Sequence, residues 1–150
     1  MKKLVAICAL LALPFAIGSC SSDDNSVIRK KSDYEGTWVT DSLFYTLPGA
    51  SKPSAHKFSE FPGEDAVKQD VLTLTSDKAT LVETRDKSGV QPEVKGEINA
   101  MVITFNSDDA RLTPRTIQAV TEIKLTVVYD INMRGFNLPV TVTYKKSELK

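Results

Sequence analysis

The chain has 150 residues, with 19 Lys and Arg residues against 19 Asp and Glu residues, so its formal net charge is zero. This length suits a single domain, and the absence of a basic stripe argues against nucleic acid as a partner. One histidine and two cysteines, of which Cys8 lies in the apolar N-terminal run, leave the usual zinc ligand sets incomplete, so we expect neither a metal nor a cofactor.

The N-terminal segment has the organisation of a secretory signal. Met1-Lys2-Lys3 forms a short positive region, and an apolar run follows from Leu4 to Ile17. A transmembrane helix needs about 20 apolar residues, so this run is too short to span a bilayer. The pattern therefore indicates a segment that is removed by processing.

The string Ile17-Gly18-Ser19-Cys20 resembles the lipobox of bacterial lipoproteins. The resemblance implies cleavage before Cys20 and acylation of its thiol. The N-terminal acyl chains would then anchor the protein to a membrane. The alternative is an ordinary secretory signal that ends near Ser19 and leaves Cys20 free. We expect a signal peptide at 1–19, an acylated tether at 20–33 and a single β domain at 34–150.

The polar stretch Ser21-Ser22-Asp23-Asp24-Asn25 resembles the export tag of Bacteroidetes-type lipoproteins. The resemblance implies display on the outer face of the outer membrane, whereas a plain solvated linker would have the same composition. We therefore expect an outer-membrane lipoprotein that faces either the periplasm or the cell surface.

The remaining chain alternates apolar and polar residues with a period of two, which is typical of strands with one buried face. Asp65 to Gln69 could form a single helical turn at most. The predicted strands begin with Gly36 to Thr46 and a hairpin of Val71 to Thr75 with Ala79 to Thr84. Val94 to Ile98 and Met101 to Asn106 follow, either as two short strands or as one strand with a bulge, because the apolar parity breaks at Asn99-Ala100. The last predicted elements are one long strand from Ile117 to Ile131, a turn with Arg134-Gly135, and a strand from Leu138 to Tyr144. This count of seven to eight strands predicts an all-β barrel or a β-sandwich.

Gly36 and Trp38 form a Gly-x-Trp motif at the head of the first strand, which resembles the entry motif of lipocalins and other calycins. The resemblance implies an antiparallel up-and-down barrel in which Trp38 plugs the closed end and Gly36 lets the backbone pass close by. In that family an Arg from the last strands often stacks on the Trp. This chain offers only Lys145 and Lys146 there, and it is best compared with small lipocalin-like lipoproteins of Bacteroidetes type.

A long connection from Leu47 to Asp70 follows the first strand and contains His56, Phe58 and Phe61. Loops longer than about 12–15 residues in compact domains are usually functional or disordered. We expect these three side chains to be contacts for a ligand or partner, in a lid or a recognition loop. The alternative is that both Phe side chains pack onto the domain as a satellite core.

No catalytic pattern accompanies these features. His56 is the sole imidazole, and neither a nucleophile elbow nor a His-Glu-x-x-His motif is present. We therefore predict no catalytic residues and a non-enzymatic binding module for a small apolar ligand or glycan. The alternatives are a structural or interaction protein, or an inhibitor of an envelope hydrolase that presents a loop surface to a protein partner.

The lipobox makes a direct prediction about Cys20. Replacement by Ala should abolish acylation and release the protein from membrane fractions, because stable anchoring needs acyl chains and no other anchor is predicted. Fractionation followed by immunoblotting measures this, and Cys8→Ala is the control because Cys8 leaves with the signal. Retention of the Cys20→Ala protein in membranes would show that the anchor lies elsewhere.

Overall fold

A computed structural model describes residues 31–63, 65–133 and 136–148. Cys20, the signal segment and the Arg134-Gly135 turn lie outside these residues. In the described part of the chain, no helix is long and apolar enough to cross a membrane. Two short 3-10 helices, Lys31–Tyr34 and Phe58–Glu60, accompany ten strands: β1 Gly36–Tyr45, β2 Ser54–Lys57, β3 Val67–Leu74, β4 Lys78–Arg85, β5 Gly89–Val90, β6 Val94–Asn99, β7 Val102–Phe105, β8 Arg115–Val120, β9 Lys124–Met133 and β10 Phe136–Lys146.

Eight of these strands form a closed antiparallel barrel. Along the sheet the order is β10-β9-β8-β7-β6-β4-β3-β1, and β1 pairs with β10 to complete the ring. The short strand β2 pairs with the C-terminal end of β1, and β5 pairs with the C-terminal end of β4. Neither strand takes part in the closure of the ring. Each barrel strand therefore neighbours the next in sequence, which confirms the predicted up-and-down barrel and excludes the sandwich.

The prediction of one long strand from Ile117 to Ile131 is wrong. Two strands, β8 and β9, occupy this segment, and Thr121 closes the turn between them by donating its backbone N–H to the carbonyl of Lys124. The register also shifts between Ile117 and Ala119, which moves the inward parity by one residue. Ile123, which the alternation assigned to the buried face, is consequently 74% exposed.

The break in parity at Asn99-Ala100 is a hairpin turn between β6 and β7. Ala100 and Met101 have φ values of 47° and 68°, both in the left-handed region. Two consecutive residues of this kind are typical of a type I′ turn, whose twist matches that of the flanking strands. The two short strands predicted on either side are confirmed.

The connection after β1 is more ordered than the sequence suggested. It contains β2 and the Phe58–Glu60 helix, and β3 already begins at Val67. Asp65 to Gln69, which by sequence could form a single helical turn at most, instead lead into β3 and the pairing of Val67 with Arg85. The segment between β1 and β3, which we call the flap, is therefore folded along the barrel wall.

Trp38 lies at the closed end of the barrel and is fully buried. Its indole N–H donates a 2.8 Å hydrogen bond to the carbonyl of Tyr34, in the helix that covers this end. The ammonium of Lys146 lies 5.4 Å from the Trp38 ring centroid, so a lysine occupies the place where the family resemblance implied an arginine. Gly36 has a φ of 137°, a backbone conformation that residues with a side chain rarely adopt, and this accounts for the glycine.

Truncating Trp38 should destabilise the barrel strongly. We expect Trp38→Ala to lower the free energy of unfolding by about 3–5 kcal/mol, because it opens a cavity at the closed end. Urea unfolding measures this, and Phe44→Ala is the control because Phe44 lies on the same strand and is 37% exposed. The folded parent should show blue-shifted tryptophan emission with little acrylamide quenching, and emission typical of a solvated indole would contradict the placement.

Candidate functional site

A cavity of about 650 Å³ opens at the end of the barrel opposite Trp38. Its mouth is formed by the flap after β1, the connection before β8 and the end of β9. A volume of this size lies within the range of small-molecule sites, about 300–1,000 Å³. The lining residues are Phe58, Phe61, Pro62, Gly63, Asp65, Ala66, Val67, Asp70, Glu83, Arg85, Arg111, Arg115, Tyr129, Ile131 and Asn132.

The floor of this cavity is charged, although the barrel interior around it is apolar. Asp70, Glu83, Arg85 and Arg115 are all buried and all occupy inward-facing positions of their strands. Buried charges of this kind are costly unless they are paired and hydrogen-bonded. The pairing of these four groups therefore decides what the cavity can hold.

Arg115 is the centre of the floor. One of its terminal nitrogens donates to Asp70 Oδ2 at 2.8 Å and to the Tyr144 hydroxyl at 2.7 Å. Its guanidinium carbon lies 4.5 Å from the ring centroid of Tyr129 and 5.3 Å from that of Phe105. The guanidinium loses its hydration on burial, and two aromatic rings and two oxygen acceptors compensate for that loss.

Arg85 and Glu83 form a second pair on β4. The Arg85 guanidinium donates a short hydrogen bond to Glu83 Oε2, and the other Glu83 oxygen lies 3.8 Å from Arg115. Glu83 thus stands between the two arginines. The four charged groups sum to zero when both carboxyls are ionised.

Burial shifts the ionisation of this cluster. Burial acts to lower the pKa of Arg115, but the acidic groups of Tyr144 and Asp70 outweigh it and raise that pKa above its ordinary value. Burial raises the pKa of Tyr144 well above its usual range, so its phenol remains neutral and can donate to Asp70 at 3.3 Å. Burial and the neighbouring Asp70 also raise the pKa of Glu83 above 4.5, despite the Arg85 bond.

The charged groups at the rim are paired or hydrogen-bonded as well. Arg111 forms a 2.6 Å ion pair with Asp109, and the Arg111 hydrogen bond is the main cause that lowers the pKa of Asp109 to about 2. Asp65 accepts hydrogen bonds from the backbone N–H groups of Lys87 and Ser88 and from the Ser88 hydroxyl. These bonds, led by that of the hydroxyl, lower the pKa of Asp65 to about 2 and join the flap to the β4–β5 turn.

The structure separates the three candidate contacts of the flap. Phe58 and Phe61 are 4% and 8% exposed, belong to the hydrophobic core and also line the cavity. His56 does not line it. Its ring stacks on Tyr45 with centroids 5.5 Å apart, and its Nε2 lies 3.2 Å from the Tyr45 hydroxyl. Both Phe side chains therefore pack into the core, as the satellite-core alternative expected, and they also form part of the cavity wall.

The four charged floor residues were missed in the sequence, although a signal for them exists. Arg115 has the same parity as buried Ile117, and Glu83 and Arg85 continue the inward series of Ala79 and Leu81. Extending each apolar alternation to the end of its strand would have placed these side chains inside. Among the described residues, no three His, Cys, Asp or Glu side chains group closely enough to hold a metal ion.

No protein-family model and no curated protein matches this sequence. Among solved structures, the chain is similar to the siderocalin Ex-FABP, a protein described as functioning through dual ligand specificities. The sequences are 14% identical, the match covers 79% of this chain and 74% of that chain, and the TM-score is 0.47. The strand order and the closure of the barrel define the fold independently of that likeness.

The burial of the Arg115–Asp70 pair predicts that substitution of Arg115 destabilises the protein more than substitution of Arg111. Arg115→Met should cost about 3–5 kcal/mol of unfolding free energy, because it leaves Asp70 buried without its cation. Arg111→Met is the control, since removal of one partner from an exposed ion pair should cost about 1 kcal/mol or less. Chemical denaturation of both variants measures the difference, and equal effects would contradict the role of Arg115.

Proposed function

We propose that this protein is a non-enzymatic binding module that holds one small, largely apolar ligand in the barrel cavity. The observation that carries the proposal is the open cavity of about 650 Å³, walled by Phe58, Phe61, Val67 and Ile131. Pockets that bind small molecules are mostly apolar, with a few polar groups that fix orientation. The buried charged floor supplies such groups.

The arrangement of the polar groups favours binding over catalysis. The cavity arginines and carboxylates are engaged with one another, which stabilises a fixed geometry. The histidine is hydrogen-bonded to Tyr45 and lies off the cavity lining. These contacts support a site that orients a ligand without a base held against a nucleophile.

The proposal extends to location. Cys20 and its lipobox support a lipoprotein anchored in the outer membrane through acyl chains, with the barrel held beside the bilayer by the tether. An amphiphile leaving that bilayer would be a natural ligand for such a cavity. The alternative of a protein-binding loop surface receives less support, because Phe58 and Phe61 are buried inside the flap.

Titration with the neutral apolar fluorophore N-phenyl-1-naphthylamine tests the binding proposal. Saturable enhancement at one site per barrel is expected for the parent. Ala66→Trp should weaken binding at least about tenfold, equivalent to about 1.4 kcal/mol, because Ala66 lines the cavity and the indole would fill it.

Ala55→Trp provides the matched control, since Ala55 is exposed on β2 and does not line the cavity. Its affinity for the fluorophore should equal that of the parent. No binding to the parent, or equal binding to the Ala66→Trp and Ala55→Trp proteins, would show that the cavity is not a ligand site.

A further inference from the structure

We propose that the cavity selects an amphiphile whose polar end is uncharged, such as a glycerol ester or another hydroxyl-bearing head on an apolar chain. This inference rests on the proposed function and adds the chemical class of the ligand. It follows from the way in which the charges of the floor are matched before any ligand enters.

Each buried arginine already has its own carboxylate. Arg115 is paired with Asp70 at 2.8 Å, and Arg85 is paired with Glu83. The side chains of all four residues are 11% exposed or less, so water screens these pairs weakly. The floor therefore presents two positive and two negative groups with no excess of either sign.

A charged head would upset this balance. A carboxylate near Arg85 also meets the Glu83 carboxylate, which already accepts a hydrogen bond from that guanidinium. A cationic head near Glu83 meets both Arg85 and Arg115 in the same way. Either ion would add an unmatched charge to a floor whose four charges are already paired, which is far more costly than burying a neutral group that is hydrogen-bonded.

A neutral head can nevertheless use the hydrogen-bonding capacity of the floor. Among the described residues, the buried side-chain nitrogen and oxygen atoms without a hydrogen-bond partner are Asp70 Oδ1, Arg85 Nε and Arg115 Nε. One is an acceptor and two are donors, and all belong to residues that line the cavity. A hydroxyl group both donates and accepts, so a small rearrangement of the floor lets it satisfy either kind of atom.

The charged groups at the rim are engaged with other groups of the protein. Arg111 is paired with Asp109, and Asp65 is held by the Lys87 and Ser88 backbone at the exposed edge of the mouth. Above the floor, the aromatic and aliphatic walls suit an acyl or alkyl chain. The geometry thus places the chain of the ligand along Phe58, Phe61 and Ile131 and its head over the Arg85–Glu83 pair.

Competition against bound N-phenyl-1-naphthylamine tests this selection with probes that share one chain length. Monolauroylglycerol is the neutral probe, dodecanoate at mildly alkaline pH the anionic probe, and dodecyltrimethylammonium the cationic probe, all below their micellar concentrations. We expect monolauroylglycerol to bind the parent at least about tenfold more tightly than either ion.

Glu83→Gln provides the second test, because it keeps the shape of the side chain and leaves the floor with one excess positive charge. Its preference for dodecanoate over monolauroylglycerol should rise at least about tenfold relative to the parent. Glu97→Gln is the matched control, since Glu97 is exposed on β6 and the same charge is lost outside the barrel.

The outcomes separate the two proposals. If the fluorophore binds in the cavity and dodecanoate competes as well as monolauroylglycerol, the proposed function survives and the charge selection is overturned. A Glu83→Gln protein that folds and keeps the ranking of the parent would overturn the selection as well. If no probe binds, the fluorophore included, both proposals fail; should Glu83→Gln not fold, the ranking in the parent decides alone.

Discussion

The buried guanidinium of Arg115 is the group on which the interior of this barrel depends. It extends from β8 and contacts Asp70 on β3, Tyr144 on β10, Tyr129 on β9 and Phe105 on β7. A single side chain therefore links β8 to its neighbours β7 and β9 and also to β3 and β10, which the hydrogen-bonded ladder connects to β8 only by way of intervening strands. Because a buried arginine cannot lose its charge, these partners must stay in place, and the cluster fixes the cross-section of the barrel at that level.

This cluster divides the barrel into two parts with different roles. On one side, Trp38 and the helix Lys31–Tyr34 fill the closed end, and Tyr34 bonds through its hydroxyl to the carbonyl of Ser76 at 2.8 Å. On the other side the longer connections rise around an open cavity. The packed end stabilises the fold, and the looped end is open. Binding residues usually lie on loops that a rigid scaffold positions in this way.

The flap between β1 and β3 links these features to the site. Phe58 and Phe61 anchor it in the core, while Asp65 binds the turn after β4 through three hydrogen bonds. The same two aromatic side chains form part of the cavity wall. Stability and recognition thus share these residues, so a change to either side chain would affect both properties.

The paired charges of the floor give the cavity a chemical character that its apolar walls alone would not have. A purely apolar interior would accept any hydrophobic chain, whatever its head. Because Arg85 and Glu83 are already bonded to each other beside the Arg115–Asp70 pair, an added charge on the ligand would be buried without a matching counter-charge. Selectivity in the proposed site therefore comes from the balance of the four groups.

The sequence by itself determined the strand alternation, most of the hairpins and the Gly36-x-Trp38 entry, because period-two burial and turn chemistry are local properties. It left a barrel and a sandwich both open, and the pairing of β1 with β10 decided for the barrel. It misjudged the segment around Ile123, where a bulge moved the parity and a turn split one predicted strand into two. Only the tertiary structure decided which charges meet inside. Asp70 and Arg115 are 45 residues apart in the chain. They come together because the closed ring fixes the register of every strand at once, which no local pattern encodes.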